Sequence, residues 1–167
     1  HSFQVHYDVT GGGPPEGICG SGLVSAIGAM LRAGIIDRSG RFIDPNRRSM
    51  VLATSKWGEA IEITDSDLLT VIRAKAAIHA GMKTLAQELG ISLSSVDEVL
   101  IAGGFGRSLD VESAIAIGLM PDLPRERFRV VGNSSLSGAL ACALYSEACA
   151  EALSISGRMA YVDLSSH

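Results

Sequence analysis

Positive charge is scarce in this chain of 167 residues: 14 lysines and arginines face 18 acids, for a net charge of −4. They form no basic stripe, which argues against nucleic acid as the main partner. Long apolar runs are missing too. None approaches the roughly 18 residues that a membrane span needs. The opening "HSFQVHYDV" alternates polar and apolar residues and does not resemble a signal peptide. No membrane partner is therefore expected. Cysteine is limited to Cys19, Cys142 and Cys149, an odd number, and the last two lie on an apolar helical pattern. Reduced thiols packed in the core and a cytoplasmic location are the expectation. His1, His6 and His167 have no metal-ligand spacing to another His, Cys or acid, so no metal site is expected.

What is present is a folded domain. Apolar residues make up 47% of the chain and charged ones 19%, enough to bury a real core at the length of one domain. Phe3, Val5 and Tyr7 alternate with polar residues, the period of a strand, and "TGGGPP" ends it. A helix is predicted over about 21–33, with Gly34 as its stop. "MVLATS" and "EAIEI" flank "KWG" as a hairpin. The longest helix begins after Thr64, where Asp67 completes a capping box, and runs to Gly90. Its apolar face is Leu68, Val71, Ile72, Ala76, Ile78 and Leu85. "VDEVLIAGG" is a strand, 110–117 a helix, "FRVVGN" a strand, 134–153 one helix rich in small residues, and "MAYVDL" a closing strand. The alternation of strand and helix from residue 96 implies a parallel sheet with helices on its faces. Both ends look cut, and a piece of a longer protein is expected.

Three turns of small residues punctuate the pattern: "GICGSG" at 17–22, "AGGFGRS" at 102–108 and "VGNSSLSGA" at 131–139. The second and third follow strands, and all three lead into helices. Ligands of open α/β sheets bind beyond the carboxyl ends of the strands, where helix N-termini offer free N–H groups suited to phosphate. Glycine there lets a flat base approach the backbone. "GICGSG" is neither a Walker loop nor a dinucleotide fingerprint, so close packing is the competing explanation for each turn alone.

Taken in order, "GICGSGLVSAIGAMLRAGIIDRSGRF", "AKAAIHAGMKTL", "VLIAGGFGRSLDVESAIAIGLMPDLP" and "VVGNSSLSGA" resemble the C-terminal part of the reductive activators of corrinoid proteins. These are ATP-dependent iron–sulfur proteins of the ASKHA group, which includes acetate and sugar kinases, chaperone ATPases and actin. The resemblance runs from about Gly11 to Ser165. It implies an α/β, ribonuclease H-like lobe with a central mixed sheet flanked by helices. A single C-terminal ATPase lobe would then occupy 1–167, with its core at 1–34 and 64–167 and a small hairpin subdomain inserted at about 35–63.

The resemblance also implies a nucleotide site. Gly103 and Gly104 would lie against adenine and ribose, followed by Gly106, with Phe105 or Arg107 at the rim. Gly17, Gly20, Ser21 and Gly22 would line the phosphate side. Lys75 and His79, which share a helix face at i, i+4, would hold the adenosine, and Asn133 opens the helix after the last core strand. The ligand implied is ATP with Mg2+ in the intact protein. The two D-x-G phosphate motifs of the group are absent, and Asp8 in "DVTGGG" does not replace one. Three scattered cysteines also cannot hold the family's two-iron two-sulfur cluster, which is expected in a preceding domain. ATPase activity is thus expected of the intact protein and not of this chain alone, and no catalytic residue is assigned here.

Cys19 has a parallel in the activators of 2-hydroxyacyl-CoA dehydratases, where a cysteine before a glycine-rich helix ligates a shared cluster. A small thiol packing the turn is the simpler expectation here. Asp37, Arg38, Arg41, Asp44, Arg47 and Arg48 form a charged loop, expected to be solvated surface. Trp57 is either a packing cap or a contact residue. The resemblance implies delivery of an electron to the cobalt of a corrinoid protein in a methyltransferase system, coupled to ATP hydrolysis, with a homodimer as one possible assembly. A kinase lobe of the same group and a non-catalytic dimerisation module are the alternatives.

Overall fold

The computed structural model describes residues 4–163. Its first helix, α1 (Gly20–Arg32), starts where the extended backbone of Cys19 lets its sulfur accept the Gly22 N–H. Ser21, Val24, Ile27, Gly28 and Met30 recur at helical spacing and form its buried face. Gly34 then turns left-handed, φ +66°. This lets the Gly34 N–H reach the Leu31 carbonyl at 3.2 Å and the Ile35 N–H reach that of Met30 at 2.9 Å.

A hairpin follows, β1 (Ser49–Thr54) antiparallel to β2 (Ala60–Thr64), with Ser49 opposite Thr64. Its turn is tied by Ser55, whose hydroxyl accepts from the backbone of Trp57 and Glu59. Helix α2 (Asp65–Glu88) opens on the expected capping box between Thr64 and Asp67. Its expected apolar face is covered near the start, and Gly81 and Ala86 are buried further along. Leu68 is buried, Val71 and Ile72 are half-buried, and Ala76, Ile78 and Leu85 are exposed.

The later part carries β3 (Val99–Ala102), α3 (Gly103–Arg107), α4 (Val111–Ala116) and β4 (Phe128–Gly132). Strands β3 and β4 pair in parallel, from Val99 opposite Phe128 to Ala102 opposite Gly132. That is the strand–helix–strand unit expected from residue 96 onward. One apolar cluster joins the elements from α1 to α4: Val24, Ile27 and Met30 of α1 meet Ile35, Ile36 and Phe42, then Ile63 and Leu68, then Ile101, Leu109, Ala114, Ile117 and Leu119.

Helices α1 and α4 approach closely through glycine. A Cβ on Gly28 would lie 2.5 Å from the Cβ and Oγ of Ser113, which is fully buried. Ser113 donates its hydroxyl to Asp110, the N-cap of α4, and receives Arg32 Nη1 at 3.2 Å. Arg125 forks onto Glu112, Nε to Oε1 at 2.6 Å and Nη2 to Oε2 at 2.9 Å, and reaches Asp122 at 2.7 Å. These bonds pin the turn before β4 to α4 and hold the Glu112 carboxyl below the ordinary range.

Five sequence expectations differ from the structure. Val5 and Tyr7 lie in no strand, and Tyr7 is exposed; Phe3 lies outside the described residues. A strand needs a ladder partner, and 4–8 has none among the described residues. Residues 159–163 are likewise not a strand, and Leu164 lies outside the described residues. Sheet pairing among the described residues is two separate two-stranded ladders, β1–β2 and β3–β4, in place of one central mixed sheet. The helix expected over 134–153 is two: α5 (Ser134–Leu144) and α6 (Ser146–Ser156), divided by an extended Tyr145. The break lets α5 and α6 pack on each other, half-covering Ala141, Cys142 and Ala148. Cys149 is exposed, not core-packed, because neither helix has a buried residue.

Candidate functional site

The carboxyl ends of β3 and β4 lie side by side, since Ala102 pairs with Gly132. Each runs directly into a small-residue helix start. After Ala102 the chain turns at Gly103, whose φ of +87° disfavours any residue with a Cβ, and α3 begins. After Gly132, also left-handed at +72°, Asn133 caps α5 by accepting the Leu136 N–H at 3.0 Å. The two turns that sequence marked by composition are therefore neighbours at one edge of the parallel ladder.

The third turn joins them through an aromatic ring. A Cβ on Gly20 would meet Phe105 Cε2 at 3.0 Å and Cδ2 at 3.2 Å. Phe105 of α3 thus lies against the first residue of α1, with 46% of its surface exposed. Gly103 and Gly104 have nothing within 4 Å of where a Cβ would project, so they offer bare backbone to a flat ligand. Gly20, Gly103, Gly104, Phe105 and Asn133 are the predicted site residues that this edge gathers.

The others serve elsewhere in this structure. Gly106 is buried, and its missing Cβ makes room for Ile101, whose Cγ2 would lie 2.5 Å away. Gly22 faces the Cys19 sulfur, 3.3 Å from its own would-be Cβ. Gly17 lines a cleft of about 380 Å³ with Ile18, Leu23, Ala60, Ile61, Glu62, Ile63 and Asp67, along the hairpin and away from Gly103 and Gly104. Lys75 is half-buried and donates to the Ile117 carbonyl at 2.6 Å, so its ammonium neutralises the C-terminal end of α4. His79, one turn further along α2, is exposed.

Cys19 is exposed, and its sulfur lies 3.3 Å from the Ser21 hydroxyl. The Ser21 side chain first, then the Gly22 N–H, holds the thiol below its ordinary range. Because the thiolate is the reactive form, alkylation of Cys19 by iodoacetamide should rise with pH about a midpoint lower than that of a free cysteine. Ser21→Ala should move that midpoint upward. Peptide mapping of labelled chain across pH 6–10 checks this, and equal midpoints in both proteins would contradict it. Among the described residues, no three of His, Cys, Asp and Glu converge as a metal site. No described helix is long and apolar enough to cross a membrane.

Sequence reasoning missed the Arg32–Ser113–Asp110 network and the contact of Phe105 with Gly20. The first left a trace, since "DVES" is a capping sequence, but the partner Arg32 lies 81 positions away from Ser113. The second had no local signal.

Comparison with known proteins identifies the family. The family described as the C-terminal domain of RACo, the ASKHA domain, matches residues 1–167. The chain is 35% identical to the corrinoid activation enzyme RamQ of Eubacterium limosum, over 81% of its own length and 26% of that protein's. It is 31% identical to the [Co(II) methylated amine-specific corrinoid protein] reductase of Methanosarcina barkeri, over 72% of its length and 21% of the relative's. A solved reductive activator for corrinoid, iron-sulfur protein superposes with a TM-score of 0.87 at 44% identity, covering 96% of this chain and 28% of that one. The chain thus spans about a quarter of the length of these relatives.

Proposed function

Because the chain belongs to the family of the C-terminal ASKHA domain of RACo, we propose that it forms one wall of an ATP site in a reductive activator of corrinoid proteins. The observation that carries this is the meeting of α1, α3 and α5 starts at the carboxyl end of the β3–β4 ladder, with Phe105 seated on Gly20. Purine and ribose would lie over Gly103 and Gly104, where no side chain intervenes. Phosphates, with their Mg2+, would lie toward the free N–H groups at the start of α1. His79 would face the adenosine directly. Lys75, bonded to the Ile117 carbonyl, would act by fixing α2 against α4.

The relatives' names favour corrinoid activation over a metabolite kinase. In the whole protein, closure of the cleft on ATP hydrolysis would be coupled to delivery of a low-potential electron to the cobalt of a corrinoid protein. The three cysteines here do not fit a four-cysteine cluster, so that group belongs outside this chain. A homodimer is part of the same proposal. The exposed Leu136, Leu140 and Leu144 on one stripe of α5 support it.

Gly104→Val isolates the ligand contact. A Cβ added there has nothing within 4 Å, so the melting temperature should hold while ATP and ADP affinity fall by about tenfold or more. Calorimetry on the full-length protein reads this. Unchanged affinity, or no nucleotide binding by the parent protein, would remove Gly104 from the site.

A further inference from the structure

The hairpin leaves one strand edge open beside a cleft. β2 has β1 on one side, and among the described residues no strand pairs with its other side. One wall of the 380 Å³ cleft is four successive β2 residues, Ala60, Ile61, Glu62 and Ile63. Successive side chains of a strand point to opposite faces. Four in a row therefore line a common cleft when it follows the strand's backbone edge.

The facing wall is Gly17, Ile18 and Leu23. It is anchored at one end where the Lys56 N–H donates to the Pro15 carbonyl at 3.1 Å and the Lys56 ammonium pairs with Glu16. At its other end it enters α1. Among the described residues, no backbone hydrogen bond joins 16–19 to β2, so this wall does not pair with the strand.

An open edge is a template for another strand unless charge, proline or a cover blocks it. β2 carries no proline and no lysine, and its only charge is Glu62. Glu62 is exposed and forms no ion pair among the described residues. The other carboxylate in the cleft, Asp67, is engaged by Thr64. The edge is thus apolar, hydrogen-bonding and negative at one point.

We propose that β2 receives an extended segment of a partner protein, apolar at alternate positions and bearing a lysine or arginine opposite Glu62. Strand addition supplies backbone hydrogen bonds, Ile18 and Leu23 take the apolar side chains, and Glu62 sets the preference for a basic segment. Gly103, Gly104 and Phe105 do not line this surface, while Gly17, expected on the phosphate side of the nucleotide, does.

The test is a titration of the isotope-labelled full chain with the peptide acetyl-Lys-Val-Lys-Val-Lys-Val-Lys-amide. Amide shifts should concentrate at 17–18 and 60–63. The same peptide N-methylated at alternate amides should bind about tenfold more weakly, because its strand hydrogen bonds are lost. Glu62→Lys should weaken binding of the unmodified peptide about threefold or more, with circular dichroism unchanged. Equal binding of the N-methylated peptide, or shifts spread over the surface, would overturn strand addition. Concentration-dependent shifts at 60–63 without peptide would assign the edge to a second copy of the chain and overturn the partner-segment proposal.

Discussion

Gly28→Ala is expected to destabilise the chain by about 2 kcal/mol, although alanine is the better helix former. The added Cβ falls 2.5 Å from Ser113 Cβ and 2.9 Å from its backbone Cα. Ser113 cannot swing away: it is fully buried, and its hydroxyl is held between Asp110 and Arg32. Relief requires α1 and α4 to separate. Overpacking of this kind costs about 1–3 kcal/mol, and a bound backbone atom places it toward the upper end. The gain in helix propensity returns up to about 1 kcal/mol. A loss of about 2 kcal/mol lowers the melting temperature of a chain this size by roughly 4–8 °C. Gly138→Ala on exposed α5, where nothing lies within 4 Å, is the control. It should raise stability by about 0.5–1 kcal/mol. Thermal melts of the two variants having the same sign of change would contradict the α1–α4 contact.

Gly106→Val should cost about 2–3 kcal/mol and also abolish nucleotide binding. The new Cβ would lie 2.5 Å from Ile101 Cγ2 and 3.2 Å from the Ile101 carbonyl oxygen. Ile101 is buried and β-branched, with its backbone in the β3–β4 ladder, so it is stiff about χ1 and fixed in position. The short α3 must lift instead, carrying Gly103, Gly104 and Phe105 with it. Melting and calorimetry together read the result. The contrast with Gly104→Val separates the two glycines: one change loses stability and binding, the other binding alone. A wild-type melting temperature in Gly106→Val would show that α3 does not rest on Ile101 as described.

Local chemistry determined much of this protein from sequence alone. Gly34 stops α1, Thr64 and Asp67 open α2, and Gly90 ends it, because caps and left-handed turns are decided within a few residues. The alternation of strand and helix after residue 96 was sufficient for the parallel ladder, and the ordered glycine motifs for the family. Tertiary structure decided what each of those glycines is for. Gly104 borders open space, Gly106 and Gly28 admit a neighbouring side chain, and Gly20 seats Phe105. Composition cannot separate these uses, since each depends on atoms distant in sequence. The same holds for Lys75, whose place on α2 resembles a ligand-binding position until the Ile117 carbonyl is found 2.6 Å away. It holds too for the break at Tyr145, which no proline or glycine announces. There, the folding back of α6 onto α5 outweighs the helix propensity of the segment.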